Sequence, residues 1–457
     1  MLIFEWPKYS SAGAKRVRAD TAAREEARST VQRNAQNMKR TITVAAVQLP
    51  AHDIERFDDV WASVRAHVRD AAKNGADIVV LPEGTIPAYI IGRTPLDTER
   101  IDRAVADLRS DAAALRVLAV CGIGRTHASF QYNSAVVVDS DGTVAGFADK
   151  AFLWHFDRRW FAPAEAIAPV ATSLGTLGAL VCADGRMPAI ARALVDGGAE
   201  FLTMPTAWVT SGRDPAALEN IQADLLARVR ARENGVPFVA ANKSGVERGC
   251  VAYCGKSQIV DAEGAVLAIA PENAPAIVAS EVVVGGPVAP RVPPAPVAAR
   301  EREDPYVRIA LAMDARDAAG AADLLEAGAV LGAGATGDHP VLDDADVLDP
   351  GCALRYRRAG HRLLIWRSAG FDAAWIVPFA RARALELRVF VAVFDEARGR
   401  AFAVDPDGAV VAGTFGALRA TSFVFDPART RQTLVAPGTD VAAGIERIAT
   451  LTGDSRA

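Results

Sequence analysis

Short apolar, β-branched runs alternate with stretches of three- and four-residue apolar spacing from residue 41 onward, and this alternation constrains the fold more than any other feature of the chain. TITVAAVQL (41–49) reads as a strand covered on both faces. Asp53–Asn74 then sets Ile54, Phe57, Val60, Trp61, Val64, Val68 and Ala71 on one helical face and closes at Gly75. ADIVVLPEG (76–84) is a second buried strand, stopped by a proline. A helix over Leu96–Ala114, a strand at Val117–Cys121 and a hairpin turn at Asp139–Gly142 follow. Strands at Leu177–Cys182 and Phe201–Met204 flank a helix over Met187–Asp196, and a long helix over Leu218–Asn234 leads into VPFVAAN. Two final strands turn at Asp261–Gly264. The pattern predicts an α/β layer fold, not a helical bundle or an all-β barrel.

The 457 residues exceed one ordinary domain, and four segments are expected. Residues 1–40 are a charged arm with no apolar stripe to bury. Residues 41–285 carry the α/β pattern. Residues 286–305 are a Pro-rich linker, since GGPVAPRVPPAPVAAREREDP (285–305) holds six prolines and cannot join a sheet. Residues 306–457 repeat the second segment in shortened form. PYVRIALAM echoes TITVAAVQL, and VDPDGAVVA (404–412) echoes VDAEGAVLA (260–268). ARARALELRVFVAV (380–393) echoes ARVRARENGVPFVAA (227–241), aligning Glu386 with Glu233 once one gap is allowed. Three matches in the same order indicate an internal duplication.

Composition removes several classes. Fifty-one basic against 55 acidic side chains give a net charge of −4, without the basic surface a nucleic-acid binder needs. No apolar run approaches the roughly 20 residues that cross a bilayer, and no membrane partner is expected. Five scattered cysteines make no disulfide framework. The opening MLIFEWPKYSSAGAKRVRAD has no apolar signal core, so a cytoplasmic protein is expected. Six dispersed histidines give no zinc pattern, and the G-x-G-x-x-G at Gly332–Gly337 runs into Asp338-His339-Pro340 instead of a helix.

Polar residues stand where three buried strands end, the place where open α/β sheets bind ligands. Glu83 follows VVLP. Cys182 ends LGALVC before Asp184 and Arg186. Lys150, in GFADKAFLWHFDRRWFAP, precedes a run with Trp154, Phe156, Trp160 and Phe161. Taken singly, each has an ordinary reading: a loop carboxylate, an inert core thiol, a solvated lysine.

Together, in this order, LPEG around Glu83, the Asp-Lys at Lys150, and C-x-D-x-R-x-P-x-x-x-R from Cys182 to Arg192 resemble the carbon–nitrogen hydrolase (nitrilase/amidase) superfamily. YNSAVVVDSDG (132–142), GAEFLTMPTAW (198–208), RARENGVPFVAANKSG (230–245) and YCGKSQIVDAEG (253–264) strengthen the likeness, which covers roughly residues 41–285. The resemblance implies a four-layer α-β-β-α sandwich followed by a shorter, diverged second α/β copy. It further implies a Glu83–Lys150–Cys182 triad, no metal and no organic cofactor. The chemistry is consistent on its own terms: a thiol becomes the nucleophile once a carboxylate takes its proton, and a fixed cation plus a backbone N–H, here Lys150 and Ala183, stabilises the developing anion.

C-x-D-x-R-x-P resembles amidases and N-carbamoyl hydrolases more than nitrilases, so a small-molecule amide or carbamoyl substrate is expected, with nitrile hydrolysis, acyl transfer or a non-catalytic binding protein of the same fold as alternatives. Arg186 matches an arginine that holds a substrate carboxylate in some relatives, or pairs structurally with Asp184. Tyr89, Trp154 and Trp208 are candidate pocket walls or core aromatics. Many members carry a second Glu in the loop after the lysine, whereas Arg158 stands eight residues beyond Lys150 here, and Ala189 replaces a frequent Glu. No triad is preserved in residues 306–457, which are expected to be catalytically empty and either to pack on the catalytic domain, modifying a homo-oligomer, or to form a separate module.

Overall fold

The computed structural model describes residues 39–92, 95–210, 212, 217–286, 297–300 and 303–452. The expected arm (1–40) lies outside them apart from its last two residues, and so does most of the expected linker (286–305).

The first copy opens with strand β1 (Arg40–Pro50), helix α1 (Phe57–Lys73), β2 (Ile78–Val80), α2 (Thr98–Leu115), β3 (Leu118–His127), β4 (Phe130–Val138) and β5 (Val144–Asp149). It continues through β6 (Val170–Thr172), β7 (Gly175–Ala179), α3 (Pro188–Asp196), β8 (Phe201–Pro205), α4 (Ala227–Asn234), β9 (Phe238–Ala241), β10 (Lys243–Glu247), β11 (Val251–Cys254), β12 (Gln258–Val260), β13 (Val266–Ile269) and β14 (Ala276–Val284). One sheet runs β11-β10-β1-β2-β3-β4-β5 with β14 also on β1; the other runs β13-β12-β9-β8-β7-β6.

Alternation along β1 shows how the layers form. Ile42, Val44 and Ala46 face the second sheet, while Ala45, Val47 and Leu49 face α1 and α2. Residues of α3 and α4, among them Ile190, Leu194 and Ala231, cover the other sheet. The order of layers is therefore helices, sheet, sheet, helices. Two expected elements differ in extent. The strand expected to reach Cys182 ends at Ala179, because the chain leaves the sheet to build a tight turn. The helix expected from Leu218 begins as a wide π turn over Gln222–Leu226 before α4.

The second copy comprises β15 (Val307–Ala312), α5 (Ala315–Ala321), β16 (Ala329–Leu331), β17 (Val341–Leu342), α6 (Asp344–Leu348), α7 (Pro350–Arg358), β18 (Leu363–Ser368), α8 (Ala373–Leu387), β19 (Phe390–Asp395), β20 (Arg400–Val404), β21 (Val410–Gly413) and β22 (Ala420–Phe425). A hairpin of β23 (Leu434–Ala436) and β24 (Thr439–Asp440) and the helix α9 (Val441–Thr452) end it. Its topology repeats the first copy. β15 pairs antiparallel with β22 and parallel with β16, as β1 does with β14 and β2. β17-β18-β19-β20-β21 reproduces β7-β8-β9-β12-β13, including a register shift at the same place in the last hairpin (Ile259/Val260 and Ala403/Val404). Counterparts of β3 to β6 and of β10 and β11 are lacking among its described residues.

The two copies meet through α4 and α8 about a local pseudo-twofold. Arg230 pairs with Glu386, and Arg383 pairs with Glu233 at 2.6 Å. Each arginine also pairs with the acid three residues on in its own helix. Each copy also repeats one contact within itself: Arg228 Nε donates to Gly264 O (3.0 Å) as Arg381 Nε does to Gly408 O (2.7 Å). A contact in which i meets j and j meets i is the signature of an isologous interface, here formed within one chain. Leu226, Val229, Ile376, Phe379 and Ala380 pack around it.

All four charged side chains at this junction are at most 1 % exposed. Removing one partner of such a network leaves buried charge uncompensated, which costs about 3–5 kcal/mol. Arg383→Met is therefore expected to lower unfolding free energy by that order in urea titrations, and Arg381→Met, at a half-buried neighbour, by less.

Candidate active site

Glu83 lies three residues beyond β2, Lys150 directly beyond β5, and Cys182 three residues beyond β7. Each is placed by a local feature of the chain. Glu83 crosses β3 at Gly122, where a Cβ would fall 2.4 Å from both Glu83 Cα and Pro82 O, so only glycine fits. Cys182 starts a single 3-10 turn with φ of +48°, a left-handed conformation unusual for a side-chain-bearing residue. Asp184 holds that turn by accepting from Val181 N (3.1 Å), and it also accepts from Ala151 N (3.0 Å) and Phe152 N (2.7 Å), tying the cysteine turn to the residues after Lys150.

Lys150 and Glu83 are fully buried and Cys182 is 4 % exposed. Lys150 Nζ donates to Glu83 Oε1 at 2.7 Å and to Asp157 Oδ2 at 2.5 Å. Asn133 Nδ2 donates to the same Glu83 oxygen at 2.6 Å. Glu83 Oε2 is left without a bonded nitrogen or oxygen, and the Cys182 thiol acts on the carboxyl as a hydrogen-bonding neighbour. Thr206 and the Ala207 backbone lie against the sulfur. The three side chains read from sequence, 67 residues apart for the first two, thus converge on one buried point.

Burial raises the Glu83 carboxyl above its ordinary range and Asp157 adds to the rise, while Lys150 opposes both. Burial and the nearby Glu83 push the Cys182 thiol up, against Lys150. Burial works against the charge on Lys150, but Asp157 and Glu83 outweigh it and hold the ammonium well above its usual value. The resting state is a neutral thiol beside a carboxyl of raised proton affinity and a permanent cation. Such a set can pass a proton from sulfur to carboxylate when an electrophile arrives.

A family model described as carbon-nitrogen hydrolase matches residues 43–285, just over half of the chain. The chain belongs to the carbon-nitrogen hydrolase family. Similar proteins include the citrullinase of Francisella tularensis, 28 % identical over 49 % of this chain and 82 % of that one, and the N-carbamoylputrescine amidase of Oryza sativa, 27 % identical over 50 % and 81 %. A probable nitrilase of Schizosaccharomyces pombe is 31 % identical over 30 % of this chain, which spans 47 % of that protein's length. A solved carbon-nitrogen hydrolase from Helicobacter pylori G27 aligns over 53 % of this chain and 89 % of its own, with 24 % identity and a TM-score of 0.48.

In this carbon-nitrogen hydrolase the carboxylate beside the lysine is Asp157, not the residue at the eighth position. Arg158 points away, donating to Gly438 O in the second copy, while Asp157 is fully buried on Lys150 and also accepts from Trp154 N at 3.0 Å. Counting a fixed step in sequence missed it, since the shorter aspartate reaches the ammonium from one residue earlier in a 3-10 turn over His155–Arg159. Asn133 was likewise unassigned, although a polar side chain within the buried run of β4 was a visible signal.

The remaining candidates divide. Ala183 is buried next to Cys182. Arg186 is half-buried with its guanidinium 4.5 Å from the Trp154 ring centre. Tyr89 is buried against Phe156 and Tyr253, with Lys150 Nζ 5.8 Å from its ring centre. Trp208 is buried in the core, its N–H accepted by Asn242 Oδ1 through the backbone at 2.7 Å. Beneath Tyr89, Lys243, Glu247 and Tyr253 form a second buried polar set in which Glu247 also accepts from Ile90 N. In the second copy, Asp343 N donates to Asp346 as Val181 N does to Asp184, so the place of Cys182 falls on Asp344, whose carboxylate is occupied by Trp366 Nε1 and Gly370 N.

A raised Glu83 must lose its proton before it can act as a base, so reaction of Cys182 should fall off on the acid side starting above the ordinary glutamate value of 4.5. Asp157→Asn removes a charge that raises Glu83. It is expected to move that acid limb to lower pH while slowing the plateau about tenfold or more, as pH-dependent alkylation of Cys182 followed by mass spectrometry would show.

Proposed function

We propose that this chain hydrolyses an amide or N-carbamoyl group of a small molecule through a thioester on Cys182. The observation that carries the reading is the buried contact of Lys150 with Glu83 beside the Cys182 turn. Glu83 takes the thiol proton as Sγ adds to the carbonyl carbon, and Lys150 and the Ala183 N–H face the developing oxyanion. Glu83 passes its proton to the leaving nitrogen, the C–N bond breaks and the amine or ammonia departs. A water then gives a proton to Glu83 and adds to the thioester, and Glu83 returns the proton to sulfur as the acid leaves. Asp157 keeps Lys150 charged and aimed throughout.

Two features support a substrate with a ureido group and a carboxylate. Two of the relatives are named for N-carbamoyl or ureido compounds. Arg186, four residues beyond the nucleophile and braced on Trp154, has the planar fork that suits a carboxylate.

Wild type and Cys182→Ala are to be incubated with pools of amides, N-carbamoyl amino acids and nitriles and examined by mass spectrometry. An acyl adduct on Cys182 with ammonia release, missing in Cys182→Ala, is expected from the amide or carbamoyl pools. Reaction with nitriles alone would overturn the substrate class, and no adduct with any pool would overturn the hydrolase reading. For a carboxylate-bearing substrate, Arg186→Gln should raise KM about tenfold or more with a smaller effect on kcat.

A further inference from the structure

The stretch from Lys150 to Ala164, which carries Asp157, is gripped by the far end of the second copy. Arg447 of α9 donates from Nη1 to Ala151 O at 2.9 Å and from Nη2 to Ala164 O. Ala164 N in turn donates to Lys150 O at 2.9 Å, so one guanidinium bridges both ends of the loop at the residue next to Lys150. Thr439 of β24, 1 % exposed, accepts from His155 N at 2.7 Å, and Gly438 O accepts from Arg158. Those contacts fall on a left-handed kink, since His155 has φ of +46°. Phe152 packs on Gly444, where a Cβ would lie 2.4 Å from the ring.

We propose that Arg447 and Thr439 are positioning residues for the Lys150–Asp157 contact, making the second copy a built-in clamp on the catalytic loop; the inference rests on the reading of Glu83, Lys150 and Cys182 given above. The peptide after Lys150 is held from opposite sides. Asp184, two residues from Cys182, takes the N–H groups of Ala151 and Phe152, and Arg447 takes the carbonyl of Ala151. A lysine ammonium rides on a flexible stem and is aimed by its backbone and its partners. Misplacement of a reacting group by about 1 Å can cost about a hundredfold in rate. A second grip reaches the cysteine turn: Arg230, paired with Glu386 of α8, donates from Nε to Gly185 O at 2.9 Å. Its mirror image, Arg383 Nε to Val347 O at 2.9 Å, occurs where the second copy has no thiol. One copy of a symmetric contact thus supports a nucleophile, and the other is left as scaffold.

The test uses the full chain and iodoacetamide, a small amide-bearing electrophile, with alkylation of Cys182 resolved into KI and kinact by mass spectrometry. Arg447→Ala should lower kinact at Cys182 at least tenfold with KI nearly unchanged and with partial rescue by millimolar guanidinium. Glu446→Gln, at the exposed neighbour paired with Arg358, should leave kinact as in wild type. A folded Arg447→Ala protein with kinact within twofold of wild type would overturn the proposal. If that variant does not fold, Thr439→Val is judged by the same criterion. Wild-type Cys182 reacting no faster than the exposed Cys250 would instead bring down the underlying reading, and the clamp with it.

Discussion

A single ammonium buried between two carboxylates governs this molecule. Lys150, Glu83 and Asp157 are all fully buried, and ions removed from water are stable only where geometry is close and the remaining lone pairs are met. That requirement explains the surrounding detail. Asn133 donates to the Glu83 oxygen that Lys150 also contacts, the Trp154 N–H donates to the Asp157 oxygen on Lys150, and Asp184 fixes the turn that brings the sulfur alongside. Glu83, Lys150 and Cys182 each follow the end of a different strand.

The same economy of buried charge appears at the junction of the two copies, where four ionic side chains cross-pair about a pseudo-twofold. Burial lowers the pKa of Arg230, and Glu233 opposes that shift. Such a junction favours one orientation, because sliding one helix along the other would break both cross-helix pairs while the charges stay buried. The orientation places α9 and the β23–β24 hairpin against the loop after Lys150. In the second copy Asp344 stands where the first has Cys182, and the contacts between the copies are made all the same.

Much was readable without coordinates. The alternating strands and helices, the strand-end positions of Glu83, Lys150 and Cys182, and the repeat that aligns Glu386 with Glu233 all came from period and spacing. Arg158 and Asp157 show where that reading stops. Adjacent residues in a 3-10 turn point in different directions, and which one faces the ammonium depends on the left-handed His155 and on the contacts that fix it. Tyr89 and Trp208 are both buried aromatics, and composition could not say that one faces Lys150 and the other the core.

The sequence by itself determined an α/β layer fold and the strand-end positions of Glu83, Lys150 and Cys182, because apolar periodicity separates strands from helices and shows where each strand stops. The tertiary structure alone decided that Asp157 completes the ion set, that Asn133 supports it, and that Arg447 reaches back to the loop after Lys150. Those contacts join residues as far as 296 positions apart, and no periodic pattern records a pairing made by packing one copy against the other.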